Sequence, residues 1–283
     1  MMLCGREYRE YIIYDGAMGT MLQKNGLKPG ARPDIMCMTA PSIVENIHRM
    51  YVDAGSDIIC TNTFGANADA LSGTGYSCGE IVEAAVSIAK KASGSTALVA
   101  LDIGPIGKLL EPMGDMGYDT AYGLFREQAI AGEKSGADLA AIETMSDLNE
   151  LRAAILAVKA NTKLPVLATM TFNKSGRTFT GCLPEDFAQT AERLGAAAVG
   201  LNCSLEPVEM YMTAQRIANA TSLPIIIKPN AGLPESTTGE YSIGPGEFAA
   251  QMARFKDIGV RIVGGCCGTT PDYIRELKKT FCQ

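Results

Sequence analysis

The sequence predicts an α/β fold, a single (β/α)8 TIM barrel whose chemistry sits at the C-terminal face of the strands. Three observations point there. Short apolar, β-branched runs alternate with longer helical patterns from one end of the chain to the other. Eight such runs in 283 residues give about 35 residues per strand–helix unit, close to the period of a (β/α)8 barrel. Glycine also recurs where a helix gives way to the next strand, at Gly55, Gly136, Gly195 and Gly259. A left-handed C-cap there turns the chain back toward the barrel. A doubly wound sheet would alternate too, but eight full units with a C-terminal helix favour closure.

In chain order, the first strand is expected at residues 12–14, followed by the small-residue loop 15–20. A helix at 41–54 leads to a strand at 57–61, and a helix at 79–92 to a strand at 97–102. The next units pair helix 122–135 with strand 138–143, and helix 147–160 with strand 165–170. Helix 185–194 precedes strand 197–202, and helix 206–220 precedes strand 224–228. The Gly- and Pro-rich stretch 230–244 reads as a long loop after the seventh strand. Helix 245–258, strand 261–264 and helix 271–281 complete the set. No stretch has the composition of a linker, so residues 1–283 are expected to form one domain.

Composition narrows the function classes. Hydrophobic residues make up 47% and charged residues 20%, enough for a large core and too apolar for disorder. A net charge of −6 argues against a nucleic-acid partner held on a basic face. Nine cysteines are an odd count and too sparse for a disulfide scaffold. The N-terminus lacks a signal-peptide pattern, and no apolar run approaches the roughly 18 residues that cross a bilayer. The expectation is a cytoplasmic protein with free thiols and no membrane partner. A single histidine removes His–His metal sites and makes a His-based triad a poor candidate. That residue, His48 in SIVENIHRMYVDAG, reads as a surface or hydrogen-bonded helix residue.

In such a barrel, chemistry collects where strands end. Those positions hold Asp15, Thr61 and Asn62, Asp102, Glu143 and Thr144, Thr171, Asn202 and Cys203, Asn230, and Cys266 and Cys267. One polar strand end is ordinarily a cap or turn former. Eight together make a ring around one mouth. Within it the thiols are the sharpest signal: GLNCS puts Cys203 after the sixth strand, and GGCCGTTP puts Cys266 and Cys267 after the eighth. Three thiolates around an open position match a catalytic zinc site, although buried filler cysteines or a vicinal disulfide fit the spacing as well. Gly264 and Gly265 would let backbone pass close to a metal, and Gly268 permits a tight turn. Cys4, Cys282, Cys37, Cys78, Cys60 and Cys182 receive no role.

Two weaker signals remain. The loop Asp15, Gly16, Ala17, Met18, Gly19, Thr20 exposes backbone N–H groups suited to a carboxylate or phosphate. Glu143 ends an apolar run and needs a cation, either a bound amino group or a Lys or Arg from a neighbouring strand.

At these residues the chain resembles the homocysteine S-methyltransferase family, and within it the homocysteine-binding barrel of cobalamin-dependent methionine synthases. The motifs are YDGAMGTMLQ (14–23), GSDIICTNTFGAN (55–67), LDIGPIG (101–107), IETMSD (142–147), MTFNKSGRTFTG (170–181), GLNCSLEPVEM (200–210), KPNAGLP (228–234) and VGGCCGTTPDYI (263–274). They run in order along the whole chain, and GGCCGTTP with an upstream GLNCS is the most specific pair.

The resemblance implies that Cys203, Cys266 and Cys267 hold Zn2+, with the homocysteine sulfur in the open position. Catalysis would rest on these three. Asn230 matches an Asn brought to the metal when substrate is absent. Glu143, with Asp15 as a second candidate, would receive the substrate amino group. The backbone of Gly16, Ala17, Met18, Gly19 and Thr20 would receive its carboxylate. Thr61, Asn62 and Asp102 occupy matching strand ends without an assigned contact. The donor is expected to be methylcobalamin on a separate corrinoid protein, since the chain stops one predicted helix past GGCCGTTP. The forms CCGTTP and KPNAGLP look more like the corrinoid-using branch than the S-methylmethionine-using one. Two alternatives stay open: a small donor such as S-methylmethionine or betaine, and a non-catalytic zinc- and homocysteine-binding subunit of a methyl-transfer complex.

Overall fold

The computed structural model describes residues 2–8, 10–234 and 241–282. Its main sheet has eight parallel strands: β3 (Ile12–Ile13), β4 (Ile58–Cys60), β5 (Leu98–Ile103), β6 (Leu139–Met145), β7 (Val166–Met170), β8 (Ala198–Asn202), β9 (Ile225–Lys228) and β10 (Val260–Val263). Each strand from β4 to β10 pairs with the next in sequence, and β10 returns to β3. A bridge between Tyr14 and Ile58 joins β3 to β4 and closes the ring. All eight expected strands are present, and the fold is the expected barrel.

The expected helices surround it: α3 (Pro41–Asp53), α4 (Cys78–Ser93), α5 (Tyr118–Lys134), α6 (Leu148–Asn161), α7 (Pro184–Arg193), α8 (Pro207–Ala220), α9 (Pro245–Ala253) and α10 (Pro271–Cys282). The segment expected as one helix at 245–258 tightens after Ala253 into a 3-10 turn, Arg254–Ile258. Gly55, Gly136, Gly195 and Gly259 all take positive φ, between 75° and 103°, as turns from helix to strand require. Three short elements went unforeseen: a hairpin of β1 (Met2–Leu3) and β2 (Arg6–Glu7), and helices α1 (Met18–Lys24) and α2 (Met36–Thr39). The hairpin packs Leu3 with Ile12, Ile58, Leu98, Leu139, Leu167 and the other apolar side chains inside the barrel. Cys4 Sγ lies 3.4 Å from the Asp138 carbonyl, so the hairpin seats at the N-terminal ends of the strands.

Side chains alternate along each strand, and the alternation sorts the core into two parts. Ile13, Ile59, Val99, Ala140, Ile142, Val199 and Ile227 pack outward against the helices. Ile12, Tyr14, Ile58, Cys60, Leu98, Ala100, Leu139, Ala141, Leu167, Ala198, Ile226 and Ile262 pack inward. Continuing β5, β6, β7 and β9 by two residues from the last apolar inward position reaches Asp102, Glu143, Thr169 and Lys228. The pleat therefore delivers a polar layer to the inside of the barrel at its C-terminal face.

His48 corrects the sequence reading. It is fully buried on α3, on the same stripe as Val44, Ile47 and Tyr51, and neither ring nitrogen has a hydrogen-bond partner among the described residues. Spacing of three, four and seven residues puts it on the core face of the helix. Burial alone pushes its pKa down to about 4, so it is a neutral core residue. Of the long loop expected at 230–244, residues 235–240 lie outside the described residues. Its two flanks pair, Ile243 N donating to Ala231 O at 3.0 Å and Ser242 N to Leu233 O at 3.2 Å. Among the described residues, no helix is long and apolar enough to cross a membrane.

Candidate metal and substrate site

The three motif cysteines converge. Their sulfurs all lie within 4.8 Å of one another, with Cys203 Sγ 3.9 Å from Cys267 Sγ. Three sulfurs bound to one tetrahedral zinc at about 2.3 Å would sit about 3.8 Å apart, so the trio fits that ion. All nine cysteines are free, which removes the vicinal-disulfide alternative from this structure.

The convergence is built by backbone. Cys203 follows β8 directly and takes φ 61°, as does Ser204, a left-handed turn that breaks the pleat and redirects the thiol. Cys203 N donates to Lys228 O at 3.0 Å, Cys266 N to Pro229 O at 2.8 Å, and Ala231 N to Cys267 O at 3.0 Å. The end of β9 thus holds the turns that follow β8 and β10 at once. Gly268 closes the second turn at φ 85°, with the Tyr241 ring against its α-carbon where a side chain would clash. Gly264 and Gly265 leave no room for a side chain, because Tyr14 and Thr269 pack against them.

Electrostatics within the trio are uneven. The Cys266 and Cys267 thiols donate to Cys203 and draw its pKa down to about 3. The same contacts push Cys266 well above the thiol range and Cys267 up to about 11. A divalent cation held by all three would displace the protons on Cys266 and Cys267. Asn230 stands at the same place: its side-chain amide hydrogen-bonds Cys203, and its Oδ1 is buried without a partner among the described residues. Asn202, fully buried, accepts from Thr144 N (2.9 Å) and Thr169 Oγ1 (2.7 Å) and donates to Thr144 Oγ1 (2.7 Å). Its Nδ2 also reaches Cys266 Sγ at 4.0 Å.

A cavity of about 250 Å³ opens beside the thiols. Asp15, Gly16, Ala17, Met18, Gly19, Thr20, Glu143 and the three cysteines all line it, as do Thr61, Asn62, Asp102 and Cys60. Cys182 and Thr171 are not part of its wall. Ala17 donates its N–H to Thr269 O at 3.1 Å. Met18, Gly19 and Thr20 form the first turn of α1, where N–H groups have no partner one turn back. Thr61 serves structure, its Oγ1 accepting from Asp102 N and meeting Thr63 Oγ1 at 2.7 Å. Asn62 binds the Pro33 carbonyl at 2.6 Å.

Lys228 is the wall residue that sequence reasoning missed. Its side chain is 5% exposed, its Nζ lies 2.5 Å from Glu143 Oε2, and it stands over the Tyr14 ring at 4.4 Å. Glu143 therefore pairs with a strand lysine, but one that reaches it from β9, with β7 and β8 between, and not from a neighbouring strand as expected. The missing signal was parity, since Lys228 lies two residues beyond the inward Ile226. Burial lifts the Asp15 carboxyl to about 7 and holds Asp102 well above the carboxylate range, while the Lys228 charge opposes both shifts. Tyr241 also went unread. It adjoins Cys267 and hydrogen-bonds Thr20 from the far side of the loop.

The sequence model of the family described as homocysteine S-methyltransferase matches residues 12–281. The chain is 33% identical to methionine synthase of Mycobacterium leprae (strain TN) and 33% identical to methionine synthase of Mycobacterium tuberculosis. Each match covers 94% of this chain but only 24% of the relative, so the chain spans about a quarter of those proteins. Among solved structures, the metallated form of the homocysteine methyltransferase MmuM from Escherichia coli superposes with a TM-score of 0.84. That match covers 96% of both chains at 23% identity and establishes the shared fold. The chain belongs to the homocysteine S-methyltransferase family.

Proposed function

We propose that this member of the homocysteine S-methyltransferase family is a zinc-dependent enzyme that methylates the sulfur of homocysteine to give methionine. Residues 1–283 act as one homocysteine-binding barrel, and the methyl donor is methylcobalamin presented by a corrinoid protein. The observation that carries this reading is the convergence of Cys203, Cys266 and Cys267 on the wall of a cavity with an acidic side. The methionine synthase relatives and the forms CCGTTP and KPNAGLP support the corrinoid donor.

Cys203, Cys266 and Cys267 would hold the zinc and leave its fourth position to the acceptor. When bound, zinc supplies the charge that takes the proton from an acceptor thiol at neutral pH, where a free thiol is only a few per cent ionised. Three protein thiolates offset that charge and leave electron density on the acceptor sulfur, which counters the lower nucleophilicity of an acidified thiol. Asn230, whose free Oδ1 sits beside Cys203, is suited to stand at the metal between turnovers. The amides of Met18, Gly19 and Thr20 face the substrate carboxylate, and the acidic wall of Asp15, Asp102 and Glu143 faces its amino group. As the sulfur bonds to the methyl carbon, the bond from that carbon to the donor breaks. The product is a neutral thioether, a poor zinc ligand, which favours release. No side-chain base is required, in keeping with a chain whose single histidine is sealed in the core.

The test is a donor panel with zinc-loaded protein and homocysteine, comparing a methyl-corrinoid protein, S-methylmethionine and betaine. Methionine is expected with the corrinoid donor. Turnover with only the small donors overturns the donor assignment. Zinc and homocysteine binding with no turnover on any donor identifies a non-catalytic subunit of a methyl-transfer complex.

A further inference from the structure

LDIGPIG (101–107) is a motif that the chemistry above leaves unused, and its Ile106 is held by a residue just past IETMSD (142–147). That residue, Glu150, lies in the first turn of α6, where Asp147 Oδ1 caps the helix. The cap accepts from Asn149 N at 2.8 Å and from Glu150 N at 2.9 Å. Glu150 is 4% exposed, and its Oε1 accepts from Ile106 N at 2.7 Å. Burial lifts the Glu150 carboxyl to about 7, the Ile106 N–H draws it down, and Asp147 adds to the rise. A carboxyl is a costly way to fill a core position, and an apolar side chain of similar length would pack there without that cost. Among the described residues, this is the one hydrogen bond between loop 104–117 and the β6–α6 unit.

The loop carries this anchor on to the cavity. Gly104 N donates to Phe64 O at 3.0 Å, and the Phe64 ring lies so close on Gly104 that a side chain there would overlap it. Lys108 Nζ adds an ion pair to Asp69 Oδ1 at 2.8 Å. The loops after β4 and β5 are thus tied together, and Phe64, 40% exposed, stands on the cavity wall with Asn62. Glu143 and Thr144 line the same cavity from the β6–α6 unit. Glu150 therefore joins two parts of one wall. We propose that Glu150 is a positioning residue for the acceptor: by holding Ile106 it fixes the β5–α5 loop to α6 and seats the Phe64 ring at the cavity. It touches no substrate and acts through Ile106, Gly104 and Phe64. The role rests on the homocysteine reading above.

Calorimetric titration of zinc-loaded protein with L-homocysteine tests this role without any methyl donor. Glu150→Met fills the space without an acceptor and should weaken homocysteine about tenfold, the loss of one buried hydrogen bond, while zinc stays at about one ion per chain. Glu150→Gln keeps an acceptor for Ile106 N and should bind within about twofold of wild type. Glu150→Asp withdraws the oxygen by one methylene, should follow Glu150→Met, and gives the comparison should that variant fail to fold. Hydrogen exchange at the Ile106 amide should speed up in the Met and Asp variants and stay slow in the Gln variant. Phe64→Ala should weaken homocysteine as well, and adding Glu150→Met to it should cost less than about twofold more, because both act through one ring. Full additivity of those two, wild-type affinity in Glu150→Met, or a Gln variant as weak as the Met variant overturns the role. Loss of zinc along with affinity in Glu150→Met marks a purely structural residue and overturns it too. Wild-type protein that binds no homocysteine overturns the homocysteine reading, and the role with it.

Discussion

The two walls of the cavity are made by different means. The sulfur wall stands beyond the strands, on turns: Cys203 and Ser204 in left-handed backbone after β8, Cys266 and Cys267 on a turn closed by Gly268 after β10. Left-handed backbone at a non-glycine residue costs about 1–2 kcal/mol. Backbone bonds to residues 228, 229 and 231 hold these turns in place. The acid wall stands on the strands themselves, with Asp102 and Lys228 on inward positions of regular pleat and Glu143 at a register shift in β6, where Thr144 takes φ 62°. Its members are tied to one another by charge more than by backbone. A metal demands sulfurs placed to a few tenths of an ångström, which rigid turns supply. An ammonium accepts looser geometry, provided the carboxylates around it are not left unbalanced, and Lys228 supplies that balance.

The largest effect should come from the sulfur wall. Cys266→Ser removes one of three thiolates, and zinc content measured by elemental analysis should fall from about one ion per chain to near zero after mild chelation, with turnover lost. A metal-free protein with full activity would erase the difference between the walls. The next effect belongs to the acid wall. Lys228→Met leaves the part-buried Glu143 without its cation and should lower unfolding stability by about 2–3 kcal/mol in urea titrations. Lys228→Met with Glu143→Gln should recover most of that loss, because no unpaired charge remains. If the double variant is as unstable as the single one, the wall is held by packing and the charge argument fails.

The two walls were also legible to different degrees. The thiols could be read because CC and GLNC are rare strings at strand ends, and the barrel brings the ends of β8 and β10 to one mouth. The eight strands were equally plain, since apolar β-branched runs carry their own period. Lys228 was missed because it closes a strand and reads as an ordinary solubilising end. Only the count of two from Ile226 turns it inward, and short strands blur that count. Cys60 follows the same rule, two residues beyond Ile58. His48 was misread because a polar residue on an apolar stripe looks like an error in the stripe, whereas burial can keep an imidazole neutral. The hairpin at residues 2–7 has strands of two residues each, too short for any periodicity to show.

The smallest expected effect, and the sharpest on the comparison, is the response to acid. Zinc binding requires deprotonated thiols, so the sulfur wall weakens as pH falls. The acid wall should respond in the opposite sense. Burial raises the Asp15 carboxyl from its ordinary 3.8 to about 7. Between those values the folded protein binds more protons than the unfolded chain, so this group's contribution to stability declines as pH rises from about 4 to about 7 and is level above that. Asp15→Asn carries no such proton. The stability of Asp15→Asn relative to wild type, from urea titrations at pH 5 and pH 8, should therefore improve toward pH 8. Zinc loading changes with pH in both proteins and cancels in the difference. A relative stability that stays flat would mean that the carboxylate of Asp15 is ionised in the fold, sustained by Lys228. The acid wall would then carry more charge than its burial implies and would not oppose the sulfur wall in its response to pH.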